Sequence, residues 1–346
     1  TLIEGQRVLL VSDSGLEAAG HVEQAVGCVR DVAAGIATHL AVRPNPGPQD
    51  VARCLDAASE CDVVLGLGGG SVMDVAKLAA LLKDTGTPLS SHRGVGEAVR
   101  GRTGLILVPT SAGTGSEAQA AAILSDPLTR KKTAYLAPGL GADVVVLDPE
   151  LTLTCPFEVK AASGLDALTH ALEVAVTRAR SKVSDALAER AFASGLPAFT
   201  RLLEAPMDLE ASSDMLYAAH EAGSAIAHAM LGAAHAAGNA LSARFGTTHG
   251  VAVAQMLPAV IAFNAHEAES AQRYMRLAKA AGLSASLEAL RSCMEALFAS
   301  SGLKRAAIHE DDLEPLVDEA MSQWTGRFNP RMMDRDGFMW LFEEVR

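Results

Sequence analysis

Four side chains with metal-binding chemistry fall in two groups, Asp166 and His170 in GLDALTHALE, and His235 and His249 in GAAHAAGNALSARFGTTHG. Asp166 and His170 are four residues apart, which on a helix places both on one face, where they can share a cation. His235 and His249 are fourteen apart. A continuous helix would separate them by about 21 Å, whereas ligands of one ion each lie about 2 Å from it. The chain must therefore fold back between them, and Phe245-Gly246-Thr247-Thr248, rich in residues that weaken a helix, is the expected place. Three imidazoles and one carboxylate suit Fe(II), Zn(II) or a related first-row cation, and the donor set alone does not choose among them. His21, His39, His92, His220, His266 and His309 have no partner pattern and read as surface or structural residues.

A second kind of chemistry lies upstream. Gly66-Leu67-Gly68-Gly69-Gly70-Ser71 follows an apolar run, CDVVLGL, and opens a helical pattern, VMDVAKLAALLK. Free N–H groups at a helix start attract a pyrophosphate, and glycine lets the backbone approach it. The match to GxGxxG fails at its last position, where Ser71 stands, and GxxxxGK[ST] is absent, so a triphosphate loop is not indicated. A merely tight strand-to-helix turn fits the same residues. Pro109 to Glu117, PTSAGTGSE, is a hydroxyl-rich loop able to wrap a polar ligand or to serve as an ordinary turn. Asp13, ending the first strand pattern, could accept hydrogen bonds from a ribose diol or simply close a strand.

These residues need a scaffold. At 346 residues the chain exceeds the usual ceiling for one core, so two domains are expected. With 49% hydrophobic and 20% charged residues it is globular. A net charge of −12, with no basic cluster beyond Arg130-Lys131-Lys132, argues against nucleic-acid and anionic-membrane partners. Five scattered cysteines without CxxC spacing indicate neither a disulfide framework nor a thiolate metal site, and fit a reducing, cytoplasmic compartment. TLIEGQRVLLVSDSG reads as a first strand, not a signal peptide, and no apolar run reaches the roughly 18 residues of a membrane span.

RVLLVSD, THLAVRP, CDVVLGL, GLILVPT and DVVVLDP are strand-length apolar runs alternating with helical patterns, the signature of a mostly parallel sheet flanked by helices. Beyond Asp148-Pro149 the pattern becomes long Ala/Leu/Glu-rich segments with helical period. The expected organisation is a dinucleotide-binding α/β domain over 1–149 and an all-helical, metal-binding domain over 150–346, packed along a cleft. Helix separators are expected at Gly195-Leu196-Pro197, around Pro206, at Gly246, at Gly282 and at Gly326 to Pro330.

Taken in order, VSDSGL, PNPGPQDV, DVVLGLGGGSVMDVAK, PTSAGTGSEA, the KK pair, DVVVLDPELT, ASGLDALTHALE, the two-histidine segment and FNPR resemble the iron-containing (group III) alcohol dehydrogenase family over almost the whole chain. The resemblance implies a Rossmann-like N-terminal domain and a helical C-terminal domain, a dehydroquinate synthase-like fold, working as a homodimer. By position it makes Asp166, His170, His235 and His249 the ligands of Fe(II) or Zn(II). It places Gly69, Gly70 and Ser71 on the cofactor pyrophosphate with Asp74 just behind, Thr110, Thr114 and Lys132 along the cofactor, and Asn45 near its adenosine half. Asp13 matches the acidic position that favours NAD over NADP, since a carboxylate would repel the extra phosphate. The activity implied is metal-assisted hydride transfer between nicotinamide and a small alcohol or aldehyde.

The chain departs from the family pattern at several points. Asn239 stands where a histidine is usual, and a neutral amide cannot relay a proton. His228 stands where Asn is frequent, so an imidazole has moved to a neighbouring turn and becomes the alternative relay. Thr248 replaces the usual Pro before the fourth ligand, and only six residues precede Arg7, where relatives commonly carry an extra strand. Two other activities suit the fold, a metal-free maleylacetate-reductase-like reduction, against which the intact ligand set argues, and a dehydroquinate-synthase-like lyase, which would need more basic phosphate-binding residues. Asn239 also motivates a catalytically silent dinucleotide-binding protein.

Overall fold

The computed structural model describes residues 2–346, which divide into two compact units. Unit 1 is residues up to Ser111 together with Ser116–Thr154; unit 2 is Ala112–Gly115 and Cys155–Arg346.

Unit 1 is built on β1 (Arg7–Val11), β2 (Gly35–His39), β3 (Val63–Gly68), β4 (Gly94–Val95), β5 (Gly104–Pro109), β6 (Ala121–Ser125), β7 (Lys132–Leu136) and β8 (Val144–Val145). Five of them form a parallel sheet in the order β2-β1-β3-β5-β8. β3 and β5 are buried along their whole length, which is why they read as unbroken apolar runs. Alternate residues feed opposite faces. Leu9, Val11, Val64, Leu105 and Leu107 pack with the Gly70–Thr85 helix, whereas Val8, Leu10, Val63, Leu65 and Ile106 pack with Val22 and Val29 of the His21–Arg30 helix.

Two strand expectations are corrected, and one hairpin is added. THLAVRP gives a strand only to His39, and that strand begins at Gly35, because its pairing partner β1 runs from Arg7, opposite Gly35, to Val11, opposite His39. DVVVLDP pairs over two residues only. The β6–β7 hairpin was not anticipated; with β4 it forms a separate three-stranded sheet, and its loop is tied by Asp126, whose Oδ1 accepts from the N–H groups of Leu128 and Thr129.

In unit 2 the described residues form helices and no strands. The Phe157–Val176 helix is buried from Lys160 to Val176 except at Ser163, and the Lys182–Glu204, Leu209–Ala227, Ala233–Phe245 and His249–Asn264 helices share its apolar core. Gly282 ends a helix in the left-handed region as expected, and the chain breaks around Pro206. Gly195-Leu196-Pro197 does not separate helices, because the Lys182–Glu204 helix runs through it. A mid-helix proline costs about 3 kcal/mol, but Leu196, Ala198, Phe199 and Leu202 are all buried there, and their burial outweighs the local preference. Among the described residues no helix is long and apolar enough to cross a membrane.

One buried carboxylate organises the turn that precedes the Pro48–Ala57 helix. Asp50 accepts from Gly47 N–H at 2.9 Å, from Arg43 Nε at 3.0 Å and from Arg53 at 2.5 Å. Burial alone would raise its pKa, but the Arg43 hydrogen bond, the Gly47 N–H and the two guanidinium charges hold it below the ordinary value. Asp50→Asn keeps an acceptor for Gly47 and removes the charge. With both arginines half exposed and therefore screened, the expected loss is about 1–2 kcal/mol at neutral pH. A depressed carboxyl contributes fully above its unfolded pKa, about 3.9, and loses that contribution as pH falls through the folded value. Urea unfolding should therefore separate the two proteins at neutral pH, with the difference shrinking as pH falls below about 3.9 and through the lower folded value.

Candidate metal centre

The Phe157–Val176 helix carries Asp166, His170 and Glu173 at i, i+4 and i+7, a polar stripe on an otherwise apolar, buried rod. Asp166 Oδ1 is buried without a hydrogen-bond partner among the described residues. Around it stand the Nε2 atoms of His170 at 3.5 Å, His235 at 3.6 Å and His249 at 3.9 Å. The His170 and His235 rings are stacked with centroids 4.8 Å apart, and the His249 ring meets His235 edge-on at 5.2 Å. These separations are long for hydrogen bonds. They are natural for ligands of one ion, since two donors each about 2 Å from a tetrahedral metal stand about 3.4 Å apart. Asp166, His170 and His235 are almost wholly buried, while the His249 side chain is 25% exposed, so the cluster faces outward on the His249 side.

Three helices bring the donors together. The Ala233–Phe245 helix ends at Gly246, whose left-handed φ of 70° turns the chain where sequence reasoning placed the fold-back, and His249 opens the next helix. Gly250 lets that helix meet the Asp166 helix, because a Cβ there would lie 2.0 Å from the Ala162 carbonyl oxygen and 3.3 Å from Asp166 Cβ. The electrostatics follow from burial and proximity. Burial opposes ionisation of Asp166, yet the facing imidazoles of His170, His249 and His235 hold its carboxyl well below the usual range. Burial pushes His170 down to about 4 despite Asp166. Burial would lower His235 too, but Glu173 and Asp166 raise it to about 9.

The glycine turn is equally legible. Gly69 caps the sixteen-residue Gly70–Thr85 helix with no side-chain cap bond, leaving first-turn N–H groups for an anionic ligand. Asn45, with a left-handed φ of 52°, directs its N–H to Ser71 Oγ at 3.3 Å. Thr110 N–H bonds to the Gly68 carbonyl and its residue is buried, so it secures the β5 end of this turn. Lys132 lies at the start of β7, opposite Ser125. Thr114 belongs to the short segment that joins unit 2, where Gly113 packs on Ser163 and Gly115 on Gly223.

Asp74 faces inward. Its Oδ1 accepts from Ser116 Oγ at 2.6 Å and its Oδ2 from Ile123 N–H at 2.9 Å. Lys77, fully buried, donates to the Ser116 carbonyl at 2.5 Å, Ser116 Oγ at 2.6 Å and the Ala121 carbonyl at 2.6 Å. Burial lowers its pKa, and Asp74 and Glu117 oppose that. The pair thus ties the Gly70–Thr85 helix to the loop after β5. Asp13 Oδ1 accepts from Gly15 and Leu16 N–H and caps the Ser14–Ala18 helix. Asn239, one turn past His235, donates to Gln323 Oε1 at 3.2 Å, and His228 is exposed at the end of the Leu209–Ala227 helix. Sequence reasoning singled out neither Lys77 nor Glu173 as a site residue. The available signal was position: Glu173 completes the i, i+4, i+7 stripe, and Lys77 is i+3 from Asp74 in an apolar run.

Two family models cover the chain: residues 2–149 match the iron-containing alcohol dehydrogenase model, and residues 160–345 match the C-terminal model of the Fe-containing alcohol dehydrogenase family. An NAD-dependent methanol dehydrogenase of Bacillus methanolicus is 28% identical over 95% of this chain and 90% of its own length. A 1-propanol dehydrogenase of Salmonella typhimurium is 33% identical over 83% of this chain and 79% of its own. The solved iron-containing alcohol dehydrogenase of Thermococcus thioreducens superposes with a TM-score of 0.91 at 26% identity, covering 99% of this chain and 93% of that one. The chain belongs to the iron-containing alcohol dehydrogenase family. It is an alcohol dehydrogenase, an oxidoreductase.

Gly250→Ala should force His249 away from Asp166. Competition with a chelator is expected to show at least about tenfold weaker binding of Zn(II) or Co(II), the size of effect typical when a ligand's support is lost. Wild-type affinity would mean that His249 is not held through this contact.

Proposed function

We propose that the family's reaction runs here on a single divalent ion, Fe(II) or Zn(II), held by Asp166, His170, His235 and His249, with NAD preferred over NADP and a small alcohol or aldehyde as substrate. The observation that carries this reading is the convergence of three imidazole Nε2 atoms, from three helices, on one buried carboxylate oxygen that has no other partner. When bound, the ion supplies Lewis-acid polarisation of the substrate oxygen and the nicotinamide supplies hydride chemistry. Asp166 contributes a fixed negative charge that neutralises part of the ion's charge, and the buried walls exclude water. Gly69, Gly70 and Ser71 receive the pyrophosphate at the helix start, with Asn45 fixing Ser71. Thr110, Thr114 and Lys132 line the cofactor. Asp74 works through Lys77, holding the loop in place.

Asp13 uses Oδ1 to cap its helix, and we assign its charge the second task of disfavouring the extra phosphate of NADP. The five cysteines are free thiols, in keeping with a reducing cytoplasm, and the working form is read as a homodimer. The donor set argues against metal-free reduction. Asn239 carries no titratable proton, so we assign the relay to His228, an exposed imidazole at a helix end.

Metal analysis of protein purified without chelator, with a panel of short alcohols and aldehydes tested on NAD and NADP, is expected to give about one ion per chain and NAD-favoured turnover that disappears on metal removal. Undiminished turnover after metal removal would refute the reading, and bound metal with no turnover of any substrate would favour a silent binding protein. His228→Asn should lower kcat by about 10²-fold or more and flatten the pH–rate profile; an unchanged profile would remove His228 from the proton path.

A further inference from the structure

Glu173 is a carboxylate buried to 2% exposure, and both of its oxygens serve the start of one neighbouring helix. Oε1 accepts from the backbone N–H of Ala234 at 2.6 Å, and Oε2 lies 2.6 Å from Nδ1 of His235, the next residue. Gly232, the N-cap of that helix, has no side chain to offer, and a Cβ on it would lie 3.1 Å from both Glu173 Oε1 and Asn329 Oδ1. Asn329 takes the adjacent N–H, that of Ala233, at 3.3 Å and is itself held by Asn264. The first two N–H groups of the helix are thus capped by side chains from elsewhere in the fold, and one of those caps also grips the ring.

An ionised carboxylate only accepts hydrogen bonds. Facing Oε2, His235 Nδ1 must carry the hydrogen, so in the neutral ring that a metal ligand has to be, the Nε2 lone pair points toward Asp166 Oδ1 at 3.6 Å.

We infer that Glu173 is the positioning residue of the metal centre: it fixes the Nδ1–H tautomer of His235 and the start of its helix together, and thereby sets the affinity of the site for a divalent cation. The inference rests on the metal-centre reading above. A carboxylate behind a ligating imidazole orients the ring and raises its basicity, and its loss typically costs 10- to 100-fold in metal affinity. The amide of Glu173→Gln cannot accept from both Ala234 N–H and His235 Nδ1–H. Whichever donor meets the amide nitrogen is left unpaired, or the imidazole inverts its tautomer and turns an N–H toward the metal.

The test is Co(II) and Zn(II) titration of apoprotein against a competing chelator, for wild type, Glu173→Gln and Asp166→Ala. Glu173→Gln should bind at least about tenfold more weakly and alter the Co(II) absorption bands. Its metal-free melting temperature should fall less than its metal-loaded one, a difference that a purely structural cap would not produce. Wild-type affinity and spectrum in Glu173→Gln, with binding lost in Asp166→Ala, would overturn the role of Glu173 alone; retention in both would overturn the metal centre itself. If Glu173→Gln fails to fold, nitrogen NMR of ¹⁵N-histidine-labelled wild-type protein loaded with Zn(II) decides. His235 is expected with Nδ1 protonated and Nε2 on the metal, and the opposite assignment would overturn the inference.

Discussion

A carboxylate whose Oδ1 has no hydrogen-bond partner among the described residues lies inside an apolar core, and much of the helical unit is arranged around that fact. Burying an isolated charge costs several kcal/mol even after relaxation, and Asp166 sits on the helix that the rest of unit 2 packs against. The three imidazoles that face it hold it ionised, yet none comes within ordinary hydrogen-bonding distance of Oδ1. A cation completes such a set, where a network of direct bonds would have closed it. The close approach at Gly250, the left-handed break at Gly246 and the double grip of Glu173 together keep the His235 and His249 helices in register with that one oxygen.

Unit 1 solves a similar problem with the charges reversed. Lys77 is an ammonium fully inside an apolar helix, and three oxygens from the Ser116 to Ala121 stretch, with Asp74, surround it. A buried pair of this kind adds little to stability compared with an apolar replacement. Its consequence is positional, because it fixes the hydroxyl-rich loop relative to the helix whose N-terminus is available to a phosphate. The motif GGGSVMDVAK therefore has two layers, with the glycines and Ser71 at the helix start and Asp74 and Lys77 behind them as the brace.

Much of this was legible in the chain itself. The approach of Asp166 and His170 on one face of the Phe157–Val176 helix follows from i, i+4 spacing, and the fold-back before His249 from the weak helix formers near Gly246. The central strands β3 and β5 were plain because burial on both faces leaves no polar interruption. Other features depend on tertiary contacts that local patterns do not encode. Pro197 stays helical because its neighbours are buried, β2 takes its limits from β1, and the β6–β7 hairpin is short and only partly apolar. Glu173 was visible as a letter in DALTHALE, but its role depends on a helix some sixty residues later in the chain. Asp13 and Asp74 show the converse, since residues marked for a ligand also carry bonds that the local fold requires.

The central claim is that Asp166, His170, His235 and His249 surround one ion, and X-ray absorption on protein loaded with one equivalent of Zn(II) tests it most directly. The account predicts a first shell of nitrogen and oxygen at about 2.0–2.2 Å with the outer-shell scattering of three imidazoles. A first shell of water oxygens without imidazole scattering, or one containing sulfur, would contradict it.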